Sequence, residues 1–216
     1  RPTPTSDKVR LTDRFFLGEP QMRGFDIRGV GPRVIRYGNV DLTDPANPII
    51  DTSSNQFIDD ALGGRAYYQG RLEVDIPLGT GAKEMGLRPS VFLDVGSVWS
   101  VKRPTLTTLE DFRDTDGLIK YKCRNAATGD APFATIPVDD DGNPIGNQYT
   151  YCAAGTALAP FEERFFGDTW MPRVAIGAGV NWNSPFGPFR IDFAYALRKE
   201  QGDDTKRFSF NVGTQF

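Results

Sequence analysis

Apolar and polar side chains alternate with a period of two residues in five stretches of the chain. These stretches span residues 66–76, 90–99, 173–182, 189–197 and 208–216. This period predicts β-strands whose two faces meet different surroundings. Each stretch is roughly as long as the 9 to 11 residues that a tilted strand needs to cross a bilayer.

The residue content of the two faces indicates what those surroundings are. The apolar faces carry almost no charge, while the opposite faces carry glycine, alanine and single charged residues, among them Glu73 and Asp94. Short turns also alternate with long connections, such as residues 101–169, as they do in outer-membrane barrels. The pattern favours an all-β fold, an antiparallel transmembrane β-barrel. A soluble antiparallel sandwich with one wet face stays open as the alternative, because alternation alone does not separate lipid from a protein core.

Five strands are too few to close a membrane barrel, since the smallest known have about eight. We therefore expect the missing strands to come from sequence outside this chain or from self-association with another copy. The chain begins RPTPTSDKVR, without the apolar core of a signal peptide, so we expect its start to be an interior cut.

Composition narrows the possible chemistry. The chain has no histidine, which argues against Ser-His-Asp and Cys-His catalysis and against imidazole zinc sites. We also predict no enzymatic activity, no cofactor and no metal centre. The net charge of −3, without a basic block, argues against a nucleic-acid partner. The Asp-rich stretch 138–147 lacks the glutamate and helices of an EF-hand, which leaves an irregular calcium site or, more simply, a solvated turn.

The two cysteines, Cys123 and Cys152, both lie in a polar region. An isolated pair of this kind indicates a disulfide formed in an oxidising compartment, although two reduced thiols stay open as the alternative.

Several motifs occur together in a family-specific order. MRGF at residues 22–25 follows FFLGE and precedes GVGPR, and it is followed in turn by GRLEVDIP, VFLDVGSVW, WNSPFGPFRIDFAYAL and FSFNVGTQF. In this order and spacing they resemble the C-terminal part of the BamA family, the outer-membrane protein assembly factors of the bacterial surface antigen superfamily. The resemblance implies the last five strands of a sixteen-stranded barrel in the bacterial outer membrane. It also implies extracellular long loops, a periplasmic C-terminus, and earlier strands and POTRA domains that are absent here.

The resemblance also divides the chain and assigns roles. Residues 1–63 would be an N-terminal segment and a long extracellular loop that folds into the lumen, and residues 64–216 would hold the last five strands, with a second long loop at about 101–169. Arg23 would meet Glu73 and Asp94 on the inner wall, and Met22, Gly24 and Phe25 would complete the loop motif. Without the resemblance, a solvated loop arginine is the simpler interpretation of Arg23.

The C-terminal strand resembles the recognition signal that barrel substrates present to the assembly machinery. Its apolar positions are Phe208, Phe210, Val212 and Phe216. A last lipid-facing strand without a recognition role is the simpler alternative, and both interpretations are compatible.

The function that the resemblance implies is the folding and insertion of outer-membrane proteins by edge-strand pairing and lateral opening. The implied partners are unfolded outer-membrane proteins, accessory lipoproteins of the assembly machinery and the lipid bilayer. A related protein-export transporter of the same superfamily is one alternative. A passive porin or a soluble surface-binding β-sheet protein is another.

Overall fold

The computed structural model describes residues 9–52, 57–79, 85–125, 129–134, 139, 145, 152, 156–184 and 187–212. The chain divides into two compact units. The first comprises Arg1–Arg33, Ala61–Arg103 and Phe166–Phe216, and the second comprises Val34–Asp60 and Pro104–Phe165. No helix among the described residues is long and apolar enough to cross a bilayer.

The described residues form thirteen strands and two short 3₁₀ helices. The strands are β1 (Arg33–Tyr37), β2 (Val40–Asp41), β3 (Ile49–Ile50), β4 (Phe57–Ala61), β5 (Ala66–Asp75), β6 (Leu87–Trp99), β7 (Tyr121–Asn125), β8 (Gly129–Ala134), β9 (Thr156–Leu158), β10 (Glu162–Phe166), β11 (Arg173–Ser184), β12 (Gly187–Arg198) and β13 (Phe208–Val212). The 3₁₀ helices span Leu11–Asp13 and Leu109–Phe112.

The first unit is built on one antiparallel sheet with the strand order β13-β12-β11-β6-β5. These are the five strands that the alternation predicts, and the all-β, antiparallel expectation is confirmed. The register places apolar positions of neighbouring strands side by side, for example Leu72 beside Leu93 and Ile191 beside Phe210. The result is a continuous apolar surface, which we call the outer face.

The outer face is exposed to the surroundings of this unit. Leu72 is 64% exposed and Phe193 is 62% exposed, and the same face carries Val74, Val91, Ile176, Val180, Ile191, Tyr195, Leu197, Phe208, Phe210 and Val212. An apolar surface of this extent is far larger than soluble monomers leave open to water. The opposite face, which we call the inner face, buries Ser90, Asp94, Arg190, Asp192 and Ser209.

The two ends of this sheet differ in how far their strands pair. Within the described residues, β5 and β13 are the edge strands. The register of β5 with β6 runs from Ala66 to Asp75, whereas that of β13 with β12 runs only from Phe208 to Val212. The described part of β13 is therefore held to the sheet by a short ladder.

The second unit contains its own small sheets and its own core. Its sheets have the strand orders β10-β1-β4, β2-β3 and β8-β7-β9. Its core consists of Leu42, Phe112 and Ile119, against which Val40, Leu109, Tyr121, Leu158 and Phe161 pack. The sequence indicates only long polar loops here, because these strands are short and some of them pair with partners far away along the chain, as β1 does with β10. Cys123 and Cys152 form a disulfide in this unit, with their Cα atoms 5.5 Å apart.

Candidate functional site

Residues 15–31, which we call the motif loop, fold into a compact structure before they meet the sheet. Leu17 and Val30 form a β-bridge across the loop, and Phe15 forms another with Gly64 at its base. Within the loop, the Met22 N–H donates to the Gly18 carbonyl at 2.8 Å. These bonds pair backbone N–H and C=O groups in a segment without regular secondary structure, where buried polar groups need hydrogen-bond partners.

Apolar side chains anchor the motif loop to the inner face. Met22 and Phe25 are fully buried, and they pack in one cluster with Val98 of β6 and Ala175 of β11. Full burial of a methionine or phenylalanine side chain contributes about 1.5–3 kcal/mol each. The anchors on both sides of Arg23 therefore stabilise the docked loop independently of charge.

The sheet leaves room for the loop because its inner face carries small residues at the contact. Gly24 has a φ of +87°, and a Cβ atom added to it would lie 2.9 Å from the Cβ of Ala175 and 3.3 Å from that of Ala194. An L-residue with a side chain is disfavoured in this backbone region and has no space here. Glycine at position 24 is thus required by both conformation and packing.

Arg23 lies among three carboxylates of the inner face. Its Nε donates to Asp94 Oδ2 at 2.8 Å and its Nη2 donates to Asp94 Oδ1 at 2.9 Å, so the pair is bidentate. The Arg23 backbone N–H also donates to Asp94 Oδ2, at 3.0 Å. Its Nη1 donates to Glu73 Oε2 at 3.1 Å and lies 3.9 Å from Asp192 Oδ1. Two parallel bonds of this kind are among the stronger hydrogen bonds in proteins.

Two further arginines extend this arrangement into a charge-balanced cluster. Arg71 Nε donates to Asp94 Oδ1 at 3.2 Å. Arg190 donates to Asp192 Oδ2 at 2.8 Å and to Glu73 Oε1 at 2.8 Å. Three guanidinium groups therefore face three carboxylates, in a place where Asp94 is completely buried. The balance removes the cost of an isolated buried charge, which proteins rarely tolerate.

An aromatic ring completes the environment of Arg23. The Arg23 guanidinium carbon lies 3.3 Å from the centroid of the Phe92 ring, which is buried on the inner face of β6. Stacking on a ring favours a planar guanidinium over the ammonium of lysine. The site therefore favours arginine through bidentate hydrogen bonds, through ion pairs and through stacking of its planar guanidinium group.

The structure brings the predicted residues Arg23, Glu73 and Asp94 into direct contact. Sequence analysis missed four members of the cluster, which are Arg71, Phe92, Arg190 and Asp192. Three of them were detectable as charged residues on the predicted polar faces. Phe92 was detectable as an apolar residue out of phase, because it shares the face of Asp94.

A second buried ion pair lies in the same unit. Arg173 Nε donates to Asp203 Oδ2 at 2.9 Å, and both side chains are fully buried. Arg173 also donates to the backbone carbonyls of Gly167 and Thr169, at 3.0 and 2.8 Å. This pair fixes the chain before β11 to the turn between β12 and β13.

The other predicted sites are placed as follows. Phe208, Phe210 and Val212 lie on the outer face of β13, while Phe216 lies outside the described residues. Of the Asp-rich stretch 138–147, only Asp139 and Ile145 are described. Among the described residues, no group of three or more His, Cys, Asp or Glu side chains is arranged to hold a metal ion.

Glu163 is a carboxylate of the second unit that accepts hydrogen bonds from two other segments of the chain. Arg36 Nη2 donates to Glu163 Oε1 at 2.7 Å, and the Thr107 N–H donates to Oε2 at 3.0 Å. Burial alone would raise the pKa of Glu163, but the bonds from Thr107 and Arg36 outweigh it and hold this pKa below its ordinary value.

Comparisons with known proteins identify a family and several relatives that this chain resembles. The family model of the Omp85 superfamily domain matches residues 2–216. The outer membrane protein assembly factor BamA of Neorickettsia risticii (strain Illinois) is 26% identical over 208 residues, which are 96% of this chain and 17% of the relative. The protein of the same name from Neisseria meningitidis serogroup B (strain MC58) is 29% identical over 137 residues, which are 63% of this chain and 12% of the relative.

A solved structure can also be aligned with this chain. The crystal structure of BamA from Haemophilus ducreyi lacking POTRA domains 1–3 aligns with a TM-score of 0.48 and 20% identity, over 93% of this chain and 26% of that one. The chain thus spans less than a fifth of the length of the two sequence relatives. The all-β, antiparallel fold class that the alternation predicts is confirmed by the five-stranded sheet of the first unit, and the barrel is not closed within the described part of this chain. Because the family model covers nearly the whole chain, the chain belongs to the Omp85 superfamily.

Proposed function

We propose that this chain is the membrane-embedded C-terminal part of a factor that folds and inserts proteins into the bacterial outer membrane. The relatives that it matches carry the name of an outer-membrane protein assembly factor. The structural observation that best supports the proposal is that β13 pairs with β12 on one side only, within the part of the chain that the structure describes. An incoming strand pairs with the other edge of β13 and is added to the sheet, a form of β-augmentation.

The hydrogen-bonding pattern of β13 identifies which backbone groups form this edge. The Ala194 N–H donates to the Arg207 carbonyl at 2.9 Å, so Arg207 and every second residue after it bond toward β12. The N–H and C=O groups of Phe208, Phe210 and Val212 therefore point away from β12. Unpaired backbone groups in hydrocarbon cost several kcal/mol each, so this edge favours any strand that can satisfy them.

The Arg23 cluster has a bracing role in this mechanism. The motif loop packs on the inner face of β6, β11 and β12. Its Arg23 is hydrogen-bonded to acids on β5 and β6 and lies 3.9 Å from an acid on β12. This arrangement keeps the wall in register while the neighbouring edge changes its partner. The protein acts by binding and by deformation of the sheet, without covalent chemistry, and is not an enzyme.

The same proposal fixes the orientation and the partners of the protein. The long connections around residues 12–63 and 101–169 face the outside of the cell, and the C-terminus faces the periplasm. Unfolded outer-membrane proteins are the substrates, and accessory lipoproteins assist. Earlier barrel strands and POTRA domains belong to the rest of the protein.

Disulfide scanning in the full-length protein tests this proposal. A Phe210→Cys variant is combined with single cysteines along the last strand of an outer-membrane protein precursor, during insertion into proteoliposomes. Strand pairing predicts adducts at every second precursor position, because side chains alternate between the two faces. A Val180→Cys variant is the matched control, since β11 is paired on both sides.

The outcomes separate the candidate functions. Adducts with no periodicity, or no adducts above the Val180→Cys background, would refute edge pairing. A protein exporter predicts adducts with a translocated polypeptide at an inner-face cysteine, such as Asn211→Cys, and not at position 210. A passive porin predicts ion conductance without adducts.

A further inference from the structure

Glu19 joins the motif loop to the last strand of the sheet at two points. Its Oε2 lies 3.0 Å from Lys206 Nζ, and its Oε1 accepts a hydrogen bond from Asn211 Nδ2 at 3.1 Å. Lys206 precedes β13, and Asn211 lies on the inner face of β13. The Glu19 side chain is only 8% exposed, so each oxygen relies on its protein partner.

The backbone makes the same connection. The Lys206 N–H donates to the Gly24 carbonyl at 3.2 Å, and the Asp204 N–H donates to the Gly29 carbonyl at 2.9 Å. In the opposite direction, the Asp26 N–H donates to the Asp204 carbonyl at 3.1 Å. The segment that leads into β13 therefore pairs with the motif loop, while the described register of β13 with β12 starts only at Phe208.

The ion pair with Lys206 persists over the physiological pH range. The hydrogen bond to Glu19 raises the pKa of Lys206 above its ordinary value, and the nearby Asp26 carboxylate, at 4.0 Å, acts in the same direction. Lys206 therefore keeps its positive charge at neutral pH.

We propose that Glu19 is a positioning residue that couples the motif loop to β13 and thereby restrains the strand whose edge receives the incoming chain. β13 cannot leave its place beside β12 unless the motif loop moves with it or the Glu19 contacts break. If they break, a carboxylate with little solvent access loses both partners, which opposes the movement. The restraint concerns the geometry of β13, and its link to insertion rests on the function proposed above.

Distance measurements between spin labels test the restraint directly. Labels at Val180 on β11 and Phe210 on β13 report the position of the last strand in the full-length protein, reconstituted in lipid bilayers. We expect a narrow distance distribution in the parent protein. In Glu19→Ala, we expect the detached population to rise about tenfold, as the loss of one charged hydrogen bond predicts.

Three further variants separate positioning from general stability. Glu19→Gln keeps an acceptor for Asn211 and loses the ion pair, so we expect an intermediate distribution. Combining Glu19→Lys with Lys206→Glu restores the ion pair, so we expect the distribution to narrow again. Glu200→Ala is the matched control, because Glu200 lies 3.9 Å from Arg198 at the end of β12 and is not bonded to the motif loop.

A distribution in Glu19→Ala that matches the parent protein would overturn the proposal, as would equal broadening in Glu200→Ala. If Glu19→Ala does not fold, Glu19→Gln and the charge-reversed pair decide the question alone. The distances are measured without a substrate, so a protein that inserts nothing in the assay above still gives a valid answer. In that case the proposed function fails and the restraint is judged separately.

Discussion

Replacement of Arg23 by alanine separates the energy of the charge cluster from that of the apolar anchors. The change removes the bidentate pair with Asp94, the bond to Glu73 and the stack on Phe92. It also leaves the cluster with one more carboxylate than guanidinium groups. Met22 and Phe25 remain in their pocket, so the variant tests the polar contribution by itself.

The size of the destabilisation depends on which ion pairs Asp94 and Glu73 retain in the variant. Removing one partner of a buried ion pair costs about 3–5 kcal/mol. Asp94 retains Arg71 at 3.2 Å and Glu73 retains Arg190 at 2.8 Å, so the lower end of that range applies. Loss of the ring stack adds about 1 kcal/mol. The docked loop is therefore destabilised by about 3–4 kcal/mol, or two to three powers of ten in the docking equilibrium.

Hydrogen exchange of the full-length protein in bilayers measures this change. We expect the amides of residues 22–30 to lose protection by that amount, while the amides of β6 and β11 keep theirs and insertion slows. Arg28→Ala is the matched control, since Arg28 lies in the same loop, is exposed and stacks only on Phe16 at 4.7 Å. A loss below about 1 kcal/mol in Arg23→Ala, or an equal loss in Arg28→Ala, would refute the bracing role.

Three further predictions concern the outer face, the motif loop and the second unit. Ile191→Arg places a charge on the outer face and should destabilise the membrane-inserted protein by about 2–4 kcal/mol if it lies near the bilayer midplane. Asp75→Arg on the inner face should lower the free energy of unfolding much less. Denaturant titration measures both variants, and equal losses would contradict the assignment of the faces. Gly24→Ala should weaken loop docking by about 2–4 kcal/mol, because position 24 has a positive φ and its added methyl group would contact Ala175. A second change, Ala175→Gly, should remove the steric contact and leave the cost of the positive φ, and hydrogen exchange of the loop amides measures both effects. Glu163 has a lowered pKa in the folded state, so its contribution is complete above the unfolded value of about 4.3 and is lost as the pH falls through the folded pKa. Amide protection in β1 and β10 should therefore decline with acid in this window, and Glu163→Gln should flatten the decline; an unchanged slope would show that Glu163 is not the responsible group.

The long strands could be predicted from sequence because their signal is local. In FRIDFAYAL, each residue shows its face through its immediate neighbours, and the structure keeps that phase from Phe189 to Leu197. The same phase places Glu73 and Asp94 on the inner face. The resemblance then singles out Arg23 as their partner, which alternation could not do.

The remaining features depend on contacts between distant segments. One sheet of the second unit joins β1 and β4 to β10, which begins at Glu162, and no local pattern specifies such a pairing. Phe92 was missed because a single aromatic residue on a predicted polar face does not indicate a role until its contact with Arg23 is known. Glu19 was missed for a similar reason, since its role depends on Lys206 and Asn211, almost two hundred residues away.

The reach of Arg23 along the chain has a consequence for folding in the membrane. Its partners Glu73 and Asp94 lie 50 and 71 residues away, on two adjacent strands. A slip of β6 by one residue would turn Asp94 toward lipid and bring Leu93 or Val95 inside, and the guanidinium would then find no acid to receive it. Docking of Arg23 thus selects the correct strand register, because it stabilises only the register in which acids from two adjacent strands lie close together.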